Sequence, residues 1–349
     1  MKHLRLYFLT LIIVVGTLGS FAQDSKRLMP FSIAYYNVEN LFDTIPNNPY
    51  GRDVDFTPQG SLMWNTQKYF SKLDNLAFVL KQLGQEITPL GPAVIGLSEV
   101  ENRSVLEDLV KHKDLQRFNY QIVHYDSPDR RGIDNALLYN PLLFTVLSSK
   151  PYRVVIPESP DSRTRDVLLV SGLMDGEKFH FLVNHWPSRW GGEKASRHRR
   201  VAAAKLNRHI HDSLRIADPN SRVIIMGDFN DNPNDISIRD VLGAKARQRD
   251  VPPGGLFNPF ADKFSRGIGT LAFRGRWSLF DQIIISDNLL DNDRNTFTFW
   301  KAEVFNRDFL VTKEGSFKGY PHRTFSGNVF LNGYSDHFPV LIYLVKYFD

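Results

Sequence analysis

Six short stretches of the chain put carboxylates, amides and imidazoles just beyond apolar runs. Asn37 and Glu39 follow residues 31–36, Glu99 follows 93–97, and His185 follows the run ending at Val183. Asp228 and Asn230 lie in Met-Gly-Asp-Phe-Asn after 223–226, Asp281 opens the run 281–285, and Asp336-His337 precede 340–345. Loops at the ends of buried strands are where a rigid scaffold carries function. One at a time these residues have plain structural roles, Asp228 as a helix cap or Asp336-His337 as a turn. Six of them placed alike point to one site. Oxygen ligands, amides and two histidines without thiolates suit a hard divalent cation, Mg²⁺, Mn²⁺ or Ca²⁺.

Absences narrow the chemistry. The 349 residues include no cysteine, which excludes disulfides, thiolate zinc sites, iron–sulfur clusters and cysteine nucleophiles. There is no HExxH, no GxSxG, no GxxxxGK[ST] and no complete GxGxxG, so zinc peptidase, serine hydrolase, P-loop ATPase and dinucleotide dehydrogenase are poor readings. His209-x-His211 lies on a helical stretch at a spacing that separates its faces, and reads as a surface pair. A composition of 42% hydrophobic and 23% charged residues is that of a globular chain. The net charge of +5 favours anionic partners only weakly.

The elements that must hold these residues are legible from periodicity. Tyr69, Leu73, Leu76, Leu80 and Leu83 recur at spacings of four and three, which predicts a helix over 66–83 ending at Gly84. Ser104-Val-Leu-Glu107 reads as a capping box opening a second helix. Ala203, Leu206, Ile210, Leu214 and Ala217 mark one face of a third, over 195–217. Apolar runs at 93–97 and 223–226 are typical of strands buried on both faces, and 120–125, 136–139, 144–149, 167–173 and 178–183 read as further strands. Residues 250–270 read as a long loop. More strands than helices, mixed rather than alternating, predict an α/β sandwich in one domain over 28–349, with no repeat and no linker.

Residues 1–22 read as an address. Lys2, His3 and Arg5 precede an apolar run from Leu6 to Leu18, and Ser20-Phe21-Ala22 offers a small-x-small cleavage site. The run is shorter than the roughly 20 residues that span a bilayer, and no second run of spanning length follows. The expectation is a secretory signal peptide and a secreted or periplasmic protein, monomeric and without a stable membrane anchor. Loss of Lys2 and Arg5 leaves a net charge of +3.

Tyr36-Asn-Val-Glu-Asn-Leu-Phe42, Leu97-Ser-Glu-Val100, Asn184-His-Trp-Pro-Ser188, Gly227-Asp-Phe-Asn230, Asp281-Gln-Ile283 and Ser335-Asp-His-Phe-Pro339 occur in this order. Together they resemble the endonuclease/exonuclease/phosphatase superfamily, over residues 31 to 345. The resemblance implies a four-layer α/β sandwich of two mixed β-sheets flanked by helices (the deoxyribonuclease-I-like fold) and hydrolysis of phosphoesters with Mg²⁺ or a similar ion. It implies Glu99 as principal metal ligand, with Glu39 and Asp336 as further metal-side acids; some branches carry aspartate where Glu39 stands. Asn37 resembles the amide that supports the site, and Asp228 and Asn230 the pair that orients the attacking water. His337 resembles the histidine that stabilises the phosphate or transfers a proton, oriented by Asp281, with His185 as a second catalytic histidine.

The chemistry is consistent with that inventory. A phosphodiester repels hydroxide, so a cation must offset the charge that builds up in the transition state, and an in-line water needs a positioned base. Arg189, Arg197, Arg199 and Arg200 around Gly191-Gly192 form either a phosphate-gripping loop or a solvated helix start. Arg131 and Asn135 either reach substrate or shape a turn. Trp277, beside Arg274 and Arg276, and Tyr320 and Tyr334 either stack on a base or sugar or belong to core or loop packing. Three readings follow: a secreted metal-dependent phosphodiesterase acting on nucleic acid, an enzyme of the same fold acting on small phosphoesters or lipid head groups as a sphingomyelinase does, and a catalytically inactive binding module.

Overall fold

The computed structural model describes residues 26–47 and 53–348; the expected signal peptide lies outside them. Two large sheets face each other. The first has six strands in the order β14-β17-β1-β2-β4-β3, formed by β1 (Arg27–Leu41), β2 (Val94–Val100), β3 (Gln121–His124), β4 (Asp134–Tyr139), β14 (Thr298–Val304) and β17 (Val340–Phe348). The second has seven in the order β5-β6-β7-β8-β13-β10-β9, formed by β5 (Thr145–Tyr152), β6 (Val167–Met174), β7 (Glu177–His185), β8 (Arg222–Asp228), β9 (Ala244–Lys245), β10 (Leu256–Phe257) and β13 (Asp281–Ser286). Hairpins β11–β12 (Leu271–Phe273, Arg276–Ser278) and β15–β16 (Phe325–Ser326, Val329–Phe330) stand apart. Each large sheet has a parallel pair at its centre, β1 with β2 and β7 with β8, flanked by antiparallel neighbours.

The apolar pattern of the second sheet explains its burial. In β8, Ile224 and Met226 join the core shared with the first sheet, while Val223 and Ile225 join a second core. Ile283, Ile284 and Ile285 of β13 alternate in the same way. A strand apolar at every position is thus covered on both faces. The outer cover is α3 (Glu193–Ala217), whose Ala203, Ala204 and Ile210 belong to the second core. On the other side α1 (Thr66–Gln82) buries Tyr69, Leu73, Leu76 and Leu80 against the first sheet, together with α2 (Arg103–Lys111). The result is the expected four-layer sandwich. The two sheets pack tightly at Gly96, where a Cβ would sit 2.6 Å from the Met226 sulfur.

Three local expectations are corrected. The cap of α2 is Asn102, whose side chain accepts from the Val105 amide, and not Ser104; an Asn two residues ahead starts the helix earlier and satisfies one of its orphan N–H groups. Residues 250–270 are not one long loop, because Leu256–Phe257 pair with β13 and β9 and Phe260–Ser265 form α4. Of the histidine pair on α3, His209 is exposed but His211 is fully buried against Asp212. Among the described residues no helix is long and apolar enough to cross a membrane.

Candidate active site

Strand register assembles the site. Along the second sheet His185 pairs with Asp228 across the parallel β7–β8 ladder, and Asp228 pairs with Asp281 across the antiparallel β8–β13 ladder. Three residues from distant parts of the chain thereby stand in one row. In the first sheet Asn37 pairs with Ser98. The β1–β2 ladder shifts register between Asn37 and Leu41, and the β2–β4 ladder between Ser98 and Val100. Such bulges re-aim side chains at strand ends. Here they carry Glu39 (φ 51°), Asn40 (φ 53°) and Glu99 (φ 66°) into the left-handed region, as Asn230 is (φ 50°). Non-glycine residues persist there when their surroundings fix them. At Glu39 the backbone N–H donates to the Asn37 side-chain carbonyl, and at Asn40 it donates to Glu99.

Asp228 is the hub. One carboxylate oxygen accepts from the Asn230 amide at 2.9 Å, and the other accepts from the Asn37 side chain at 3.1 Å. That second oxygen lies 3.5 Å from Nε2 of His185 and 4.0 Å from Nε2 of His337. His337 Nδ1 meets Asp281 at 2.7 Å, which fixes the ring and leaves Nε2 facing Asp228. Ser335 ties this segment to β1, donating to the Asn37 carbonyl and accepting from the His337 amide. The Asn230 side chain donates to the Trp186 carbonyl.

Electrostatics separates the roles. Burial would raise Glu99, but Arg131 foremost, with the His337 cation, outweighs it and holds the carboxyl well below the usual range. Burial pushes Asp228 up to about 7, with the His337 cation opposing and Asp281 reinforcing the rise. His337 resists burial because Asp281, Asp228 and Asp336 surround it, and its pKa stands well above the ordinary value. His185 goes the other way, driven down by burial and by Arg165, so it is a neutral imidazole. The pocket therefore holds one charged and one neutral histidine on opposite sides of Asp228.

The remaining expected residues are placed as follows. Arg131 donates to both Glu99 oxygens at 3.2 and 3.1 Å and to Asn40. Asn135 is buried, donating to the Asp166 carbonyl and accepting from Ser98, so its side chain shapes the strand end. Arg189 is held by Asp231, Asp235 and the Asn230 carbonyl. Arg200 is fully buried against Asp231, and Arg197 pairs with Glu193 on its own helix, so the arginine run is helix-start architecture more than a phosphate grip. Trp277, 38% exposed, stacks on Phe338 with ring centroids 6.0 Å apart. Glu39 and Asp336 face one another across Arg323, and burial followed by Asp336 raises Glu39 to about 7.

Three supporting residues carried no sequence signal. Buried Arg165 pairs with Asp129 and donates to the His185 and Trp186 carbonyls. Lys72 of α1 is buried and donates to Thr324 and the Tyr334 carbonyl. Arg323 joins Glu39 and Asp336. A lone Lys or Arg in a helix or loop has no spacing that distinguishes it, so only the fold could reveal them.

The residues fit a hard divalent ion. Asp228, Asp281 and His337 offer ligand atoms within 4.8 Å of one another, and Asp281 Oδ1 and His185 Nδ1 are buried without a hydrogen-bond partner. Glu99 stays ionised beside them.

The pattern described as "Endonuclease/Exonuclease/phosphatase family" matches residues 32–346. No curated protein sequence matches the chain. Among solved structures, truncated TDP2 from Caenorhabditis elegans superposes with a TM-score of 0.52 at 17% identity, covering 90% of this chain and 97% of that one. Humanized TDP2 from D. rerio gives 0.53 at 14%, covering 90% and 98%. A mannosyl-6-phosphatase from Bacteroides thetaiotaomicron gives 0.53 at 18%, covering 90% and 99%. At these identities the likeness is one of fold.

Proposed function

The chain belongs to the endonuclease/exonuclease/phosphatase family, and on that premise we propose that it is an exported, divalent-metal-dependent phosphodiesterase acting on nucleic acid. The observation that carries the hydrolytic reading is the His337–Asp281 contact of 2.7 Å with Nε2 of His337 turned toward Asp228. Glu99 with the neighbouring carboxylates would hold a divalent ion, whose charge would offset that of the phosphoryl oxygens. The protonated His337 donates to a phosphate oxygen and stabilises the charge that develops there. Asp228, as carboxylate, accepts a proton from the water that attacks in line, while Asn230 and Asn37 hold its oxygens in place. His185, neutral and buried, is the second base or donor on the opposite side of Asp228.

Nucleic acid is supported by Trp277, which forms an aromatic ledge on Phe338 directly after His337, and by Arg274 and Arg276 on the same hairpin. Export is supported by the charged start and apolar run of residues 2–18. A second reading, hydrolysis of small phosphoesters, is favoured by a cavity of about 380 Å³ lined by Arg274, Tyr320, Arg323 and Asp336, large enough for one sugar or nucleoside. The test is a panel of plasmid DNA, RNA, sphingomyelin and a chromogenic diester, each with Mg²⁺ or EDTA. The first reading expects metal-dependent cleavage of DNA or RNA. Intact nucleic acid at every metal concentration, with turnover of a small ester, transfers the assignment to the second.

A further inference from the structure

Glu99 is gripped from outside the hub. Arg131 donates to Glu99 Oε1 at 3.2 Å through Nη1 and to Oε2 at 3.1 Å through Nη2, and Nη2 also reaches the Asn40 side-chain carbonyl at 2.6 Å. Oε2 accepts in addition from the Asn40 amide at 3.1 Å. Oε1 lies 3.9 Å from Nε2 of His185, which is itself 3.5 Å from Asp228. The guanidinium therefore stands one side chain away from the hub. Its backbone is fixed. The Arg131 amide donates to Asp129 Oδ1 at 2.8 Å, and the other Asp129 oxygen meets buried Arg165 at 2.9 Å. The same Arg165 donates to the His185 and Trp186 carbonyls, so the loop is pinned to the end of β7. At the start of the loop the Ser127 amide donates to Asp134 at 2.8 Å. A held backbone thus carries a side chain that is 44% exposed and has solvent to turn into.

A hard divalent ion bonds a carboxylate oxygen at about 2.0–2.6 Å, closer than the guanidinium fork that lies across both Glu99 oxygens. Two cations then compete for one carboxylate. Asn40 offers a main-chain amide from a left-handed residue and stays in place. Arg131 offers the tip of a long side chain and can leave. A guanidinium released beside a phosphoester takes phosphoryl oxygens with the same two-pronged geometry that it uses on a carboxylate. Resting on the metal-dependent reading above, we infer that Arg131 is a two-position side chain: it holds Glu99 until a divalent ion takes that carboxylate, and then turns to grip a phosphoryl oxygen of the substrate. Ion and substrate binding are coupled through this residue, with the loop over 127–134 as its fixed pivot.

The experiment follows arginine Nε–H signals of the full mature chain by ¹⁵N NMR while Mg²⁺, and then sulfate as a probe of the phosphoryl position, are added. The Arg131 signal is the one missing from Arg131→Met. Mg²⁺ shifts it, and sulfate shifts it again only when Mg²⁺ is present. Calorimetric titration supplies the affinities. Arg131→Met binds Mn²⁺ about tenfold more tightly than wild type and, at saturating Mg²⁺, binds sulfate about tenfold more weakly, the contribution of one charge-assisted hydrogen bond. Arg130→Met removes an exposed charge from the same loop and stays within about twofold of wild type in both. An Arg131 signal unmoved by saturating Mg²⁺, a sulfate shift of equal size without Mg²⁺, or Mn²⁺ affinity in Arg131→Met no tighter than in Arg130→Met overturns the inference. If Arg131→Met does not fold (judged by circular dichroism), Arg131→Lys identifies the signal and the wild-type shifts decide. Wild type that binds the ion and cleaves phosphoesters with the Arg131 signal unmoved loses this inference and keeps the proposed function. Wild type that shows both shifts but cleaves no phosphoester does the reverse, and wild type that binds no ion overturns both.

Discussion

At the scale of single residues, the proposed mechanism rests on one carboxylate that faces two unlike histidines. Asp228→Asn keeps the shape but removes the charge that the histidines surround, and it keeps only one of the two acceptors that Asn37 and Asn230 donate to. We expect it and His337→Ala each to lose about 10²–10⁴-fold in kcat on a diester while melting within a few degrees of wild type. A folded variant with wild-type turnover removes that residue from the mechanism. The pH dependence follows from the same burial. Asp228 works as carboxylate and is raised to about 7, so kcat/KM falls as pH drops through about 7, or through a lower value when a bound cation favours the ionised form. A rate profile flat from pH 8 to pH 5 at saturating metal contradicts the assignment. Arg131 and Asn135 read equally well from sequence as substrate contacts or turn formers. Their side chains answer differently, one meeting Glu99 and the other closing a strand end.

At the scale of elements, two bulges and three aligned strand ends do the positioning, and the sheets beneath them must not shift. At Gly96 they pack without room for a side chain. Gly96→Ala puts a methyl 2.6 Å from the Met226 sulfur, and we expect a loss of about 1–3 kcal/mol in urea unfolding. An unchanged midpoint shows that the methionine yields freely. In the neighbouring ladder, buried His180 is held down to about 4 by burial first and then by Lys178, with Ser171 on its Nδ1. Its folded value is below the unfolded one, so its contribution is fully present above about 6.5 and is lost as pH falls toward 4. Wild type should therefore lose urea stability over that window, and His180→Gln should lose less. Equal slopes for the two proteins assign the acid sensitivity elsewhere.

At the scale of the whole molecule, a four-layer sandwich delivers residues from every third of the chain to one end of two facing sheets. On the metal-dependent reading, a divalent ion bound there would stabilise the folded state by mass action. Treatment with EDTA should abolish turnover, added Mn²⁺ or Mg²⁺ should restore it, and saturating Mn²⁺ should raise the melting temperature. Turnover that survives EDTA and exhaustive dialysis means the chemistry does not use an ion. The N-terminus is a further test at this scale: the exported protein should begin close after Ala22, which N-terminal sequencing reads directly.

The sequence by itself determined most strands of the two large sheets, the three long helices and the chemical inventory, while β14, the short strands and α4 carried no readable period. Side-chain period and run length reflect local burial, and the motif residues at Asn37, Glu99, His185, Asp228, Asp281 and His337 are each marked by the apolar run beside them. What only the tertiary structure decided is which charges meet. Strand register set His185, Asp228 and Asp281 in one row, and packing of α1 against the 324–334 segment brought Lys72 beneath Glu39, 33 positions away in sequence. Arg189 and Arg200 read equally well as a phosphate grip or a helix start, because a run of arginines carries charge but no partner. Their partners, Asp231 and Asp235, come from beyond β8, and ion pairing depends on distances in space that spacing along the chain does not encode.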